Sequence, residues 1–358
     1  QPQHVAEFLD RPVKSSRLRL GDLSVGFIHG LIAAMGEAGQ DAAPLLAQFG
    51  LDAARLAEPQ GRLSIPRYMR LGHSAMQLCD NPALGLVMGR LSQLGQLGLA
   101  GVTAAQAPTL REAARCLTRY EPLYAYNYRG QSSFHEDNKG AWLRFYSISP
   151  YNAYNRFVVD SVLAGWHSHL SQLGGMPLKV EKVEIEFPAP SYAERYSEAF
   201  GCPVEFSAGA NQLRLSLPTL ALRGQAHCPS TWQQLLALCE HELEQLTRTR
   251  SLRERVARLL GPLLHGREPE LEEVAARLQM PVWTLRRKLA EEGTQYRAIL
   301  NDTRRDLAMA YIRDTELAFG EIAYLLGFAS AEAFQRAFKR WSGKTPGEFR
   351  RSQRQQTG

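Results

Sequence analysis

Cysteine is scarce in this chain, and long apolar runs are missing. The 358 residues include five cysteines, which are scattered and odd in number: Cys79, Cys116, Cys202, Cys228 and Cys239. This usage argues against a disulfide framework or a metal cluster and is typical of reduced thiols. No apolar run reaches the roughly 20 residues that span a bilayer, so we expect no membrane-spanning helix. The first residues, QPQHVAEFLDRP, lack a basic stretch followed by an apolar one, so we expect a cytoplasmic protein without a secretory signal.

An excess of acidic residues is also missing, and the basic excess is confined to one end. The sequence has 42 Lys and Arg against 36 Asp and Glu, a net charge of +6. From Arg248 to Gly358 there are 21 basic and 14 acidic residues, whereas the rest of the chain has 21 and 22. A basic segment beside a neutral one is typical of phosphate binding. Charge alone does not distinguish DNA from RNA or from an anionic lipid surface.

Residues 1–225 predict a mixed α+β domain, the first of the two that a chain of this length suits. Apolar residues recur at three- and four-residue spacing between residues 18 and 120, which favours helices. Between Tyr124 and Ser149, two β-rich runs, YAYNYRG and AWLRFYSIS, flank a polar segment and predict a hairpin. We expect a long apolar helix from Asn155 to Gly174, and then strands in KVEKVEIEF, CPVEF and NQLRLSL.

A single helix is predicted between the two domains, in residues 226–249. Its apolar residues follow a heptad spacing: Trp232, Leu236, Cys239, Leu243 and Leu246. A stripe this narrow is the width of a helix–helix seam, so we expect it to join two copies of the chain in a homodimer. The alternative, that the helix packs on its own front domain, stays open.

Residues 250–358 predict an all-α domain with two helix-turn-helix units. The first unit, Leu271–Leu289, is broken at Met280-Pro281, and proline is well tolerated just ahead of a new helix. The second unit, Phe319–Arg350, repeats the design. A helix from about Tyr296 to Arg313 separates them, and such a rod can place both second helices in successive major grooves.

The second helix of each unit projects polar and aromatic residues away from its apolar anchors. Arginine at such positions can bind guanine O6 and N7 in bidentate fashion, and the lysines lie where phosphates would pass. The predicted DNA-contacting residues are Trp283, Arg286, Arg287, Glu332, Gln335, Arg336, Lys339, Arg340, Lys344 and Arg350.

Three motifs in this domain are characteristic of a known family. They are Gly327-Phe328 in the turn, FxRxFKRWxG from Phe334 to Gly343, and PxxFR from Pro346 to Arg350. With them, the segment from Leu271 to Arg350 closely resembles the C-terminal domain of AraC/XylS-type transcription regulators. The resemblance implies binding to double-stranded DNA through the exposed faces named above. One departure is Glu332, which can accept from cytosine N4 but otherwise repels the phosphates, so the second unit is expected to specify fewer bases.

The front domain also resembles a family. PTLREAARCLTRY (108–120) and FGCPVEFSAGANQLRLS (200–216) are similar to the arabinose-binding-type sensor domain of many such regulators. The resemblance implies a small-molecule effector, which it does not identify. Aromatic residues are dense between Tyr120 and Trp166, and they predict core packing, an apolar effector pocket, or both. The expected pocket residues are Tyr124, Tyr126, Trp142, Phe145, Phe157 and Trp166.

Together these features predict a transcription regulator in which an effector in the front domain biases DNA binding by the last domain. No catalytic residue, cofactor or metal site is predicted. A regulator gated by a partner protein is the alternative. A DNA-repair alkyltransferase that carries such a domain would need zinc-binding cysteines and a PCHR nucleophile, and the sequence has neither.

Overall fold

The chain divides into two units at the end of one helix. The computed structural model describes residues 19–248 and 250–356. The first compact unit is Leu20–Leu263, called the front unit below, and the rear unit begins at Leu264. The sequence places the start of the second domain at residue 250, so the division lies one helix later than expected. The predicted fold class, an α+β domain followed by an all-α domain, is confirmed.

Two sheets form the β part of the front unit. The strands are β1 (Gly21–Ser24), β2 (Arg62–Ser64), β3 (Ala125–Asn127), β4 (Ser133–Glu136), β5 (Gly140–Phe145), β6 (Lys182–Glu184), β7 (Val204–Glu205) and β8 (Asn211–Ser216). One sheet has the order β2-β1-β3 and the other has the order β4-β5-β8-β6-β7. Neighbouring strands run antiparallel except β6 and β7, which are parallel.

The hairpin predicted between Tyr124 and Ser149 is built from other residues than expected. β4 pairs with β5, with Phe134 opposite Leu143, although β4 lies in the segment expected to be a polar loop. The expected first strand is β3, and it pairs with β1 in the other sheet. The carboxylate of Asp137 accepts a hydrogen bond from the Gly140 amide and closes the turn.

Helices surround both sheets. Those of the front unit are α1 (Ile28–Glu37), α2 (Ala43–Gln48), α3 (Ala53–Leu56), α4 (Ile65–Leu78), α5 (Leu84–Arg90), α6 (Gly98–Ala104), α7 (Leu110–Arg119), α8 (Arg156–Gly174), α9 (Glu194–Phe200), α10 (Leu217–Leu220), α11 (Pro229–Arg248) and α12 (Leu252–Leu263). The predicted apolar helix is α8. It packs so closely on α5 that a Cβ added to Gly89 would lie only 2.4 Å from the Cβ of Ala164.

Helix α11 packs on the front unit of its own chain. Trp232 and Cys239 are 7% and 0% exposed in the apolar core of that unit. Leu236 and Leu243 are half-buried against the same core, and Leu246 is exposed. Most of the stripe expected to be a dimer seam therefore faces the core of its own front unit. This matches the alternative in which the helix packs on its own front domain. A heptad spacing does not separate the two cases, because a helix on a core and a helix in a coiled coil can share it.

Polar contacts hold α11 in this position. Cys239 Sγ lies 3.2 Å from Thr103 Oγ1 in α6. Glu240 Oε1 accepts hydrogen bonds of 2.6 Å from Arg119 Nε and from the Tyr120 hydroxyl, at the end of α7. These bonds lower the pKa of Glu240. Helix α11 is thus an integral part of the front unit rather than a linker.

Helix α12 also belongs to the front unit, although its sequence predicts a place in the DNA-binding domain. The Tyr128 hydroxyl donates a hydrogen bond of 2.9 Å to the carbonyl of Ala257. The guanidinium of Arg258 lies 4.2 Å from the ring centroid of Tyr126. Gly261 leaves no room for a side chain, because a Cβ there would lie 2.2 Å from the Tyr128 carbonyl oxygen. Contacts of this kind are tertiary, so the boundary could not be found from helical periodicity.

The rear unit is helical wherever the structure describes regular elements. Its helices are α13 (Leu271–Arg277), α14 (Val282–Glu291), α15 (Tyr296–Asp314), α16 (Phe319–Leu325), α17 (Ala331–Ser342) and α18 (Pro346–Gln356). The pairs α13–α14 and α16–α17 are the two predicted helix-turn-helix units. Across the described parts of both units, no helix has the length and apolar content needed to cross a membrane.

The turn residue differs between the two helix-turn-helix units. Gln279 has a φ of 54° in the first turn, and Gly327 has a φ of 73° in the second. In each case the amide of the next residue, Met280 or Phe328, donates back to the first helix. This left-handed helix ending suits glycine and strains a residue that carries a Cβ. The first unit therefore holds strain that the second avoids.

Candidate DNA-binding surface and effector cavity

Helix α14 presents a basic and aromatic face to solvent. Leu285 and Leu289 are fully buried in the rear unit, and they fix which side of the helix faces inward. Trp283 is 66% exposed, and Arg286 and Arg287 are exposed beside it. The structure thus brings together the three residues predicted to contact bases in the first unit.

The two arginines of this face differ in their contacts with neighbouring side chains. Arg287 Nε lies 3.7 Å from Glu291 Oε1, and its guanidinium lies 5.7 Å from the ring centroid of Trp283. Arg286 makes neither a hydrogen bond nor an ion pair with any described residue. Because it has no internal partner to release, Arg286 is the better placed of the two for bidentate binding to a guanine.

Helix α17 presents a second face of mixed charge. Phe334 and Phe338 are fully buried on its inner side, with ring centroids 5.9 Å apart. Ser330 Oγ caps the start of the helix by accepting from the Ala333 amide at 3.1 Å. The exposed residues are those that the sequence predicts: Glu332, Gln335, Arg336, Lys339 and Arg340, with Lys344 exposed in the turn before α18. This face combines side chains that can contact base edges with cations that can contact phosphates.

A cavity of about 90 Å³ lies inside the front unit. Its walls come from helices α1, α4, α5 and α8 and from strands β1, β3 and β5. Tyr124, Phe145 and Trp166 line it, so the structure brings together three of the six predicted pocket residues. Apolar side chains form most of the wall, as in most small-molecule sites.

The other three predicted pocket residues lie outside this cavity. Tyr126 packs against Arg258, because side chains alternate along β3 and its two neighbours face the cavity. The ring of Trp142, on β5, lies 5.4 Å from the guanidinium of Arg214. Phe157 is 1% exposed and belongs to the apolar core beside α4. Residues that are close in sequence thus do not all line this cavity, because strand alternation and helix rotation direct these three side chains elsewhere.

Two buried ionisable residues line the cavity, and the sequence analysis did not identify either. Glu121 is 8% exposed, and its Oε1 accepts a hydrogen bond of 2.8 Å from the Ser132 amide. Burial raises the pKa of Glu121 to about 7. His169 is 3% exposed, and its Nε2 lies 2.9 Å from Ser92 Oγ. Burial lowers the pKa of His169 to about 4, so its ring is neutral at physiological pH.

Comparison with known proteins decides the family. Residues 39–223 match the arabinose-binding N-terminal domain of AraC transcription regulators, and residues 274–352 match a helix-turn-helix domain. The ornithine utilization regulator of Pseudomonas aeruginosa is 34% identical over 320 residues, which cover 86% of this chain and 93% of that protein. The chain belongs to the AraC family of transcription regulators. It therefore has an N-terminal ligand-binding domain and a C-terminal helix-turn-helix domain that binds DNA.

Two further transcription regulators are similar to this chain over most of their length. The regulator VirS of Mycobacterium tuberculosis is 28% identical over 319 residues, covering 88% of this chain and 92% of that protein. The crystal structure of CdpR from Pseudomonas aeruginosa covers 86% of this chain and 96% of its own, with 24% identity and a TM-score of 0.43. Among the described residues of the present AraC-family chain, no three His, Cys, Asp or Glu side chains are grouped as metal ligands.

Arg304 fixes the turn of the second helix-turn-helix unit in this AraC-family chain, and sequence analysis missed it. Its Nε donates to the carbonyl of Leu326 at 2.8 Å, and its Nη2 donates to that of Gly327 at 3.1 Å. Its guanidinium lies 4.8 Å from the ring centroid of Phe328, and its Nη1 pairs with Glu268 at 3.3 Å. Arg304 is therefore a positioning residue for α17. Its sequence context, a run of charged residues in α15, indicates a solvated face and gives no sign of this role.

Arg350 has a similar internal role. Its Nη2 donates to the carbonyl of Leu317 at 2.7 Å, and its Nε donates to that of Ile312 at 3.4 Å. Its guanidinium also lies 4.7 Å from the ring centroid of Phe319. These contacts hold the start of α16 against the end of α15, and the predicted DNA contact of Arg350 stays a prediction.

Proposed function

We propose that a small molecule binds in the front-unit cavity and biases the binding of both helix-turn-helix units to operator DNA in the cytoplasm. The observation that carries this proposal is a mostly apolar cavity that contains a few buried polar groups, the usual composition of a small-molecule site. One relative is named for the utilization of ornithine, a small molecule with polar groups.

We further propose how the rear unit divides its contacts with DNA. Trp283 and Arg286 on α14 contact base edges in one major groove, with Arg287 beside them. On α17, Gln335 and Arg336 contact bases. Glu332 restricts which base is accepted beside it. The exposed cations assigned to phosphates are Lys339, Arg340 and Lys344.

Filling the cavity tests whether it is the effector site. Gly165 lines the cavity, and a Cβ there would meet no described atom closer than 3.8 Å, so Gly165→Leu adds a side chain within that space. Gly36→Leu is the matched control, because Gly36 is an exposed helical glycine with nothing within 4 Å of its Cβ position. Each protein is titrated with operator DNA in the presence of small metabolites, ornithine among them, and binding is followed by fluorescence anisotropy.

We expect the parent and Gly36→Leu to change their DNA affinity with one of the metabolites. Gly165→Leu should bind DNA with the parent's basal affinity and lose the response. A response that Gly165→Leu retains at the parent's metabolite concentration would place the effector outside this cavity.

A further inference from the structure

We propose that the effector is a cation, a small primary amine, and that the carboxylate of Glu121 is its counter-ion. This inference rests on the proposed function of the cavity as the effector site. It goes beyond that function by naming the charge of the ligand and the residue that selects it.

Glu121 is a buried acid, and no basic residue among those described pairs with it. It follows α7 in a short helical turn, and only 8% of it is exposed. The Ser132 amide stabilises one carboxylate oxygen, but no described Lys, Arg or His forms an ion pair with Glu121. A carboxylate in an apolar interior is costly unless it is paired, so burial raises its pKa to about 7. An ammonium group in the cavity would supply the missing charge.

The composition of the cavity wall also favours a cation. Among the described residues that line the cavity, none is Lys or Arg, so nothing there competes with a ligand cation for Glu121. Tyr124, Phe145 and Trp166 add aromatic rings, whose faces attract cations. An anionic effector would instead meet the Glu121 carboxylate in surroundings of low dielectric constant, where repulsion is strong.

His169 contains a polar atom that no described residue engages. His169 Nδ1 is buried and has no hydrogen-bond partner among the described residues, whereas Nε2 is engaged with Ser92. Buried polar atoms are nearly always hydrogen-bonded, so an unpaired one on a residue that lines the cavity points to a ligand. The neutral imidazole adds no positive charge near the amine. The ligand class is therefore a primary amine with a second polar group for His169.

The test compares amines with hydroxyl counterparts of the same size by calorimetry at pH 8, where Glu121 is mostly ionised. The amines are 1,4-diaminobutane and 1,5-diaminopentane, and their counterparts are 1,4-butanediol and 1,5-pentanediol. The full-length parent, Glu121→Gln, Glu186→Gln and Gly165→Leu are titrated. Glu186 is the matched control, because it is a half-buried acid of the same unit that does not line the cavity.

We expect the parent and Glu186→Gln to bind at least one amine, at least about tenfold more tightly than its hydroxyl counterpart. Glu121→Gln should weaken amine binding by about tenfold or more, the loss typical of a hydrogen bond to a charged group. Its thermal midpoint should not fall, because glutamine can still accept from the Ser132 amide. This measurement excludes misfolding as the cause.

Two kinds of failure are distinguishable. The cation inference is overturned if neither amine binds, if the hydroxyl counterparts bind equally well, or if Glu121→Gln binds amines like the parent. In the last two cases, loss of binding in Gly165→Leu would still leave the cavity as the effector site. Binding that is unchanged in both Glu121→Gln and Gly165→Leu overturns the cation inference and the proposed site together.

Discussion

The hydroxyl of Tyr196 donates a hydrogen bond of 2.8 Å to Asp160 Oδ2 in the interior of the front unit. The other carboxylate oxygen of Asp160 has no partner among the described residues, and the residue is 1% exposed. Burial raises the pKa of Asp160 from 3.8 to about 8. Since the folded pKa is the higher one, the stability contributed by this group is complete below pH 3.8 and is lost as the pH rises toward 8.

Asp160→Asn should therefore remove the loss of folding stability that ionisation of Asp160 causes as the pH rises. Asparagine keeps the hydrogen bond from Tyr196 and does not titrate, so its advantage in unfolding free energy should grow by about 1 kcal/mol per pH unit between pH 5 and 7. Urea unfolding at several pH values measures it. Asp137→Asn is the control: Arg214 holds the pKa of Asp137 well below its usual range, so that difference should stay flat above pH 5. A flat difference for Asp160→Asn as well would contradict the prediction.

The two turn residues of the rear unit should differ in how strongly they respond to exchange. Gln279→Gly should change the free energy of unfolding by no more than about 1 kcal/mol, because relief of its φ of 54° offsets the added chain entropy. Gly327→Ala should cost about 2 kcal/mol or more, since its Cβ would lie 2.2 Å from the Arg267 carbonyl oxygen. Hydrogen exchange of peptides from α13–α14 and α16–α17 measures each effect locally. Equal protection losses in both variants would show that the two turns do not differ as described.

The exposed residues of the rear unit should separate into two groups by salt dependence. Arg286→Ala should cost about 1–3 kcal/mol on the preferred operator and relax the preference at one or two base pairs. Lys339→Ala should weaken binding to all sequences similarly and reduce the slope of log affinity against log salt by about one. Anisotropy titrations at four salt concentrations, on operator and scrambled DNA, measure both. Identical behaviour of the two variants would mean that base and phosphate contacts are not divided between them.

Charges on the inner side of α11 should destabilise the front unit. Leu236→Glu with Leu243→Glu places two carboxylates against the apolar core, which should lower the free energy of unfolding by about 2 kcal/mol or more. Leu238→Glu on the same helix is the control, because Leu238 is 52% exposed and its exchange should be nearly neutral. A double variant that keeps its stability and loses mass in sedimentation would instead restore the dimer seam.

Sequence predicted the elements that depend on local pattern. Both helix-turn-helix units follow from helical periodicity and from residues such as Gly327, whose backbone conformation few other residues accept. The predicted partner of β3 was wrong, because strand pairing is non-local. β3 pairs with β1, about a hundred residues earlier in the chain. Glu121 and Arg304 were missed because their burial depends on what packs over them. In a sequence, a charged residue predicts a solvent-exposed side chain unless other evidence is given.

The support for α17 comes from residues that do not face DNA in the proposed arrangement. Phe334 and Phe338 anchor its inner side, and Arg304 ties down the turn that precedes it. Gln335 and Arg336 contribute neither to the anchoring of α17 nor to the fixing of this turn. Substitutions on the exposed face can therefore change operator preference without a loss of folding stability. Evolution can reassign such a regulator to new target genes in single steps, and a library randomised at those positions could be selected for new operators on an intact scaffold.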